Sequence, residues 1–285
     1  MRRVLIFGAN GMTGWELAQR ASSWQLDAVA LDRAEVDITD GRAVDAAIAR
    51  VRPHIVINAA AYTAVDKAES EPDVAMRVNA DGAENVARAA ANHDACVVHV
   101  STDYVFDGNA DEPYQPEDAT NPVGVYAQSK FAGEEAVRLA NPRHAVIRTS
   151  WVFSHRGRNF VRTMLERASA GPLRVVNDQF GRPTSAGDLA DALLAAGTRV
   201  EKEDGLRGTW HFANKGVTSW FDFARTIFEM KGLSPALEPI ATQDYPTEAR
   251  RPAFSVLDTS AFESTFGMHP RPWRDALFET LERLN

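Results

Sequence analysis

From the first residues to about position 150, short apolar runs alternate with longer amphipathic stretches. Val4–Phe7, Ala28–Leu31, Ile55–Asn58, Cys96–Val100 and Ala145–Arg148 read as strands, and segments near 14–22, 41–51, 72–92 and 123–140 read as helices. Such alternation argues for a parallel sheet wrapped by helices. After Thr149 the rhythm changes. A helix at Asn159–Ser169 and a strand at Leu173–Val176 precede "NDQFGRPTSAGDLADALLAAG", which reads as a loop followed by a helix. "GTWHFAN" reads as a further strand and "SWFDFARTIFEMKG" as an amphipathic helix ended by Gly232. The tail "PWRDALFETLERLN" is helical, with Leu277, Leu281 and Leu284 on one stripe. No repeat or low-complexity linker divides the chain, so the two functional halves should interleave.

Ligands of such sheets bind beyond the carboxyl ends of the strands, and the residues with chemistry do follow strand-like runs. Gly8, Gly11 and Gly14 form G-x-x-G-x-x-G after the first, read as a turn that opens a helix over Trp15–Arg20. Glycines there let the backbone approach a diphosphate, whose charge a helix N-terminus favours. The spacing differs from G-x-G-x-x-G, and any tight strand-to-helix turn can use glycine. A second signal is sharper. With five tyrosines and five lysines in the chain, a Tyr followed four places later by Lys should arise about 0.1 times by chance, yet Tyr126 and Lys130 stand so. On one helix, started near Asn121-Pro122, the two would share a face. A neighbouring ammonium would then lower the phenol's pKa toward neutrality.

The net charge of −8 and scattered arginines speak against a nucleic-acid partner and a membrane surface. No apolar run approaches the length of a membrane span, and the one after Arg2-Arg3 stops at the glycine loop. Cys96, alone of its kind, reads as a buried strand thiol, and the cytoplasm is the expected compartment. His99 in a strand reads as structural, and no histidines stand at metal-ligand spacing.

With these features the chain resembles the extended short-chain dehydrogenase/reductase family, and within it the reductases of dTDP-4-keto sugars. The strings are "FGANGMTGWEL", "NAAAYTAVDKAESEP", "VNADGAENVA", "STDYVFDG", "YAQSKFAGE", "RTSWVF", "NDQFGRPTS" and "ARRPAFSVLD". The fold expected is α/β, a doubly wound parallel sheet of Rossmann type with a smaller, interleaved C-terminal substrate domain. Residues 1–150 plus about 184–215 would bind the dinucleotide, and about 151–183 plus 216–285 the substrate. The resemblance implies hydride transfer from NADPH or NADH to the C4 ketone of a dTDP-sugar. Tyr126 would give the proton, Lys130 would lower its pKa and hold the cofactor ribose, Thr102 would hydrogen-bond the same oxygen, and Asp103 would position the sugar. The cofactor would lie against Gly8, Asn10, Gly11, Met12, Thr13, Gly14, Asp32, Arg33, Asp37, Ile38, Ala59, Ala60 and Ala61, besides Tyr126 and Lys130. Asp32 suits the ribose hydroxyls of NADH and Arg33 the 2′-phosphate of NADPH, with a lean to NADPH. Trp151 would wall the sugar pocket, while Asn159, Arg182, Arg250 and Arg251 suit the diphosphate and base of the sugar nucleotide. A core tryptophan and solvated surface arginines are the plainer alternatives.

Related dehydratases carry Thr-Asp-Glu where this chain has Thr102-Asp103-Tyr104, so a base for abstracting a carbon-bound proton is missing. An epimerase, another nucleotide-sugar reductase, or a non-catalytic subunit like the regulatory beta subunit of methionine adenosyltransferase stay open. Some of the resembled reductases are dimers bridged by magnesium through glutamates. The corresponding positions here read Gly187 and Arg274, and on a helix the adjacent Asp188 and Asp275 point elsewhere. Hence no magnesium and a monomer are expected.

Overall fold

The computed structural model describes Arg2–Leu284. Six parallel strands form the central sheet: β1 (Arg2–Phe7), β2 (Leu26–Leu31), β3 (Ile55–Asn58), β4 (Cys96–Thr102), β5 (His144–Thr149) and β6 (Gly208–His211), in the order β6-β5-β4-β3-β1-β2. The chain runs outward from β1 to β2, then restarts at β3 on the other side. The crevice between the ends of β1 and β3 is therefore the topological switch point, where ligands of open parallel sheets bind. All four residues of β3 are buried, as a strand covered on both faces requires.

One face carries α2 (Gly41–Val51), α5 (Gly82–Asn92) and α6 (Val125–Ala140), whose apolar stripes join Leu5, Phe7, Val56 and Val97 in one core. The other carries α1 (Met12–Arg20) and α8 (Ala186–Lys202), packed with Val4, Ile6, Ile57 and Val98. Side chains set the helix starts: Asp40 accepts from Arg42 and Ala43, and Ser185 from Gly187 and Asp188. Beyond Ser150, α7 (Phe160–Arg167), α9 (Trp220–Met230) and α11 (Trp273–Glu282) enclose a smaller core around Phe153, Phe223 and Leu277. The short α10 (Ser260–Phe266) lies apart from it. Its Phe262 and Phe266 enter the core of the main sheet.

Three differences from the sequence reading have clear causes. α1 begins at Met12 and not Trp15, so Gly14 is inside the helix; a Cβ there would come within 2.0 Å of the Gly8 carbonyl oxygen. The segment near 72–92 is not one regular helix. α3 (Val65–Ser70) and α4 (Pro72–Met76) precede a π turn over Arg77–Asp81, and only then does α5 follow. The π turn pushes the Asn79 carbonyl toward α6, which accommodates it with Gly133: a Cβ there would be 2.1 Å from that oxygen. Finally, α6 starts at Val125, after Gly124 at φ 87°, and Glu69 of α3 accepts from the Val125 N–H at 2.9 Å. Asn121, expected to start it, instead donates to Asp107.

Candidate active site

β1 delivers its chain into a turn that only glycine can make. Gly8 has φ 90°, and a Cβ on it would sit 2.7 Å from the Ala60 nitrogen. Gly8 and Gly14 thus let β1, α1 and the end of β3 close together. Gly11 differs: it is exposed, stands at the N-cap of α1, and offers no side-chain cap to the first-turn N–H groups. An uncapped helix start without a Cβ in the way fits a diphosphate.

At the end of β2, Asp32 is engaged by its own loop. Its carboxylate accepts from Asn10 Nδ2 at 2.6 Å and from the N–H groups of Ala34 and Glu35. The Arg33 side chain is 81% exposed and pairs with Asp37 at 3.2 Å, so its guanidinium is open to a phosphate from solvent. Asp37 also accepts from Thr39, and Ile38 is buried against Gly82.

A cleft of about 510 Å³ runs from this turn to the end of β5. Gly11, Met12, Thr13, Ala59 and Ala61 line one part; Thr102, Asp103, Tyr126, Lys130 and Trp151 line the rest. The Thr102 hydroxyl donates to Asp103 Oδ1 at 3.1 Å and accepts from the Tyr104 N–H. Asp103 Oδ2 and the Thr149 hydroxyl, both buried along the cleft, have no partner at hydrogen-bond distance, though the Ser255 side chain stands near enough to the Asp103 carboxyl to favour its charged form. Orphaned polar atoms in such a place fit a hydroxyl-rich ligand. Burial pushes the Asp103 carboxyl up to about 7.

α6 brings Tyr126 and Lys130 to one cleft, as their spacing implies, but the phenol's pKa is not lowered toward neutrality as expected. Lys130 Nζ donates to the Val100 carbonyl at 2.7 Å and stands 3.4 Å from His99 Nε2. Burial drives the phenol up to about 12, opposed by the Thr102 hydroxyl and reinforced by the Asp103 carboxylate. Burial also brings Lys130 down to about 8, with Glu134 opposing. Tyr126 therefore keeps its proton near neutrality, the state a proton donor needs.

Asn159, Arg182, Arg250 and Arg251 do not line the cleft. Asn159 is the N-cap of α7: its Oδ1 accepts from Arg162 N–H while its Nδ2 donates to the Ser154 and Arg156 carbonyls. Arg182 faces the charges of Asp258 and Glu263, and burial lowers its pKa. Arg250 is exposed, and Arg251 is paired with Asp66, Nη2 to Oδ2 at 2.7 Å. Two contributors escaped the sequence reading. Trp220 lines the cleft beside Trp151, and Glu69 fixes the start of the helix carrying Tyr126. The Ser219-x-x-Asp222 pattern, in which Asp222 N–H donates to the Ser219 hydroxyl, marks the start of Trp220's helix; nothing local marks Glu69.

Asp188 has settled surroundings, whereas Asp275 is exposed. Asp188 accepts from Asn214 and Arg271, and Arg271 pairs in turn with Glu279. A Cβ on Gly187 would lie 2.5 Å from the Arg20 guanidinium, which pairs with Asp191 and Glu16. Arg274 lies over Trp273. Among the described residues no group of His, Cys, Asp or Glu is arranged to hold a metal ion.

A nucleotide turn at the switch point, opening onto a Thr-Tyr-Lys set, defines an NAD(P)-dependent oxidoreductase of the short-chain dehydrogenase/reductase class. The profile of the RmlD substrate binding domain matches residues 1–285, and the chain belongs to that family. It is 41% identical to the dTDP-4-dehydrorhamnose reductase of Aggregatibacter actinomycetemcomitans over 97% of each chain. It is 42% identical to a Streptomyces antibioticus protein named "Probable dTDP-4,6-dihydroxy-2-methyloxan-3-one 4-ketoreductase", over 97% of this chain and 94% of that one. Among solved structures, the dTDP-4-dehydrorhamnose reductase of Bacillus anthracis in complex with NADP aligns with a TM-score of 0.92 at 35% identity, covering 99% of each chain.

Proposed function

We infer that this chain reduces the C4 ketone of dTDP-4-dehydro-L-rhamnose to give dTDP-L-rhamnose. The observation that carries the reading is the cleft itself, which Tyr126 and Thr102 line together with the uncapped start of α1. When bound, the nicotinamide supplies the hydride to C4. Tyr126 gives its proton to the C4 oxygen as the carbonyl becomes an alkoxide, and Thr102 steadies that oxygen by hydrogen bonding. Asp103 accepts from a sugar hydroxyl. Lys130 turns from Val100 to the cofactor ribose. Arg33 reads the 2′-phosphate. Gly8, Asn10, Gly11, Met12, Thr13, Gly14, Asp37, Ile38 and Ala59–Ala61 shape the dinucleotide cradle around it.

For the distal part of the substrate we retain Arg250 and Arg251, the latter on release from Asp66. Asn159 serves to hold its own loop, since its amide is fully used in capping α7. The expected setting is a monomer in the cytoplasm, free of magnesium and nucleic acid. Among the described residues no helix is long and apolar enough to cross a membrane.

The test is incubation with dTDP-4-keto-6-deoxy-L-mannose and each reduced cofactor, following nicotinamide absorbance and identifying the sugar formed. No oxidation of either cofactor would overturn the reading. A second reading, reduction of a different dTDP-4-keto sugar, is favoured by the 42% identity to the Streptomyces 4-ketoreductase. Turnover with that class of ketone alone would select it.

Two predictions follow from the geometry of the cradle. Arg33→Ala should move the kcat/KM ratio toward NADH by roughly tenfold or more, because a charge-assisted pair with the phosphate is lost. An unchanged ratio would remove Arg33 as the phosphate reader. Treatment with EDTA should leave activity and solution mass unchanged, because Asp188 already has Arg271 and Asn214 as partners. Activity that magnesium restores, or a magnesium-dependent dimer seen by light scattering, would show a metal-bridged assembly instead.

A further inference from the structure

Trp151 leaves β5 with φ 47°, a left-handed backbone that a bulky residue rarely adopts. One neighbour makes room for its ring and another packs on it. A Cβ at Gly181 would stand 2.5 Å from Cε2 of the indole, so only glycine admits the ring in this position. Trp220 stacks on the same indole, with ring centroids 3.6 Å apart and planes 8° from parallel. Behind Trp220 stand Phe160 at 4.6 Å and Phe223 at 6.4 Å, which join it to the smaller core. Trp220 is fixed in its turn as the first residue of α9, capped by the Ser219 hydroxyl. Both indoles are half-buried and both line the cleft entered by Tyr126 and Lys130.

We propose that Trp220 is a positioning residue which, by stacking on Trp151, holds that indole as the wall against which the sugar ring of the substrate is seated. The two rings act as one rigid surface with the smaller core behind it. A flat apolar face suits the C–H side of a pyranose, whose hydroxyls point from its rim toward Asp103 and Thr102. The backbone on either side of the ring is tied by the Thr184 N–H to the Trp151 carbonyl at 3.2 Å and by the Ser150 hydroxyl to the Arg182 carbonyl at 2.7 Å, so the stack bears on the indole itself, and without it the ring is free to leave the wall by rotation of its side chain. The stack contributes equally before and during the chemical step, so its loss should appear in KM for the sugar nucleotide and not in kcat.

The proposal rests on the ketoreductase reading, and wild-type protein assayed in parallel separates the two: absence of wild-type turnover is a failure of that reading alone. The test compares Trp220→Leu and Trp220→Phe with wild type for both KM values, for dTDP-L-rhamnose affinity by calorimetry, and by circular dichroism. Circular dichroism checks that both variants keep the wild-type fold. Trp220→Leu should raise the sugar-nucleotide KM about tenfold and weaken dTDP-L-rhamnose to match, with kcat and the NADPH KM held within about twofold. Trp220→Phe, which can still stack, should recover to within about threefold of wild type. Should the Leu variant fail to bind NADPH, Trp220→Met serves as the non-aromatic replacement. An unchanged sugar KM in the non-aromatic variant overturns the proposal. So does a Phe variant as impaired as the non-aromatic one, or a loss shared equally by kcat and both KM values.

Discussion

Tyr126→Phe is expected to lower kcat by roughly 10²–10⁴-fold, the usual contribution of a positioned proton donor, with NADPH affinity nearly unchanged. The substitution removes one hydroxyl and keeps the ring, which packs edge-on against Tyr104 at 5.8 Å. The phenol is half-buried and its desolvation pushes it up to about 12, so at neutral pH wild type holds it almost wholly protonated. No ionisation need precede the transfer. Of the neighbours, Asp103 sits at about 7 but is bonded to Thr102, and Lys130 is turned to the Val100 carbonyl. Neither stands ready to replace the missing proton donor. Lys130→Met should behave differently, weakening NADPH binding as well as turnover, because the ammonium is assigned to the cofactor ribose. Steady-state kinetics together with a fluorescence titration of NADPH check both statements. Near-normal turnover by Tyr126→Phe with a confirmed substrate would remove Tyr126 from its assigned role.

Much of this arrangement was legible in the residues, for identifiable reasons. Parallel strands covered on both faces are continuously apolar, so Val4–Phe7 and Ile55–Asn58 stood out, and the glycine turn after the first marked the switch point. The pairing of Tyr126 with Lys130 was a matter of helical period. What the period could not supply was orientation: it put the two side chains on one face, but burial and the Val100 carbonyl determine where the ammonium goes. Partners remote in sequence were equally hidden. Glu69 reaches Val125 across 56 positions, and the stack of Trp151 on Trp220 depends on a glycine at 181. Asn159 was misleading in a different way. An Asn before an apolar run is as good an N-cap as it is a ligand, and here the cap uses it completely. The π turn at Arg77–Asp81 likewise matches a residue remote in sequence, Gly133 on α6, which leaves room for the Asn79 carbonyl.

The same helix supplies the largest stability prediction. Glu134 lies one turn beyond Lys130, wholly buried, and accepts from Arg148 Nε at 2.9 Å and Nη2 at 2.8 Å and from Arg138 Nη2 at 2.6 Å. Burial alone would raise its pKa, but the Arg148 and Arg138 guanidinium groups outweigh that and hold it below the ordinary carboxylate value. Arg148 is almost as deeply buried, and its further acceptors, the Pro116 carbonyl at 3.1 Å and His211 Nε2 at 3.5 Å, carry no charge to balance it. Glu134→Leu should therefore cost about 3–5 kcal/mol, the range for stranding a buried charge, against a total of about 5–15 kcal/mol for a typical protein. Arg138 should suffer less, since Glu135 and Thr209 also accept from it. The sign with pH is fixed by the depressed pKa: the pair's contribution is complete above the unfolded carboxylate value of about 4.3 and is lost as pH falls through the lower folded value. Adding Arg148→Met to Glu134→Leu should return most of the lost stability, because two apolar side chains in place of a buried ion pair are commonly neutral or better. Urea titrations of the single and double variants, each at neutral and acid pH, measure these terms. A single variant as stable as wild type, or a double variant no better than the single, would show that the Glu134–Arg148 pair does not anchor the catalytic helix energetically.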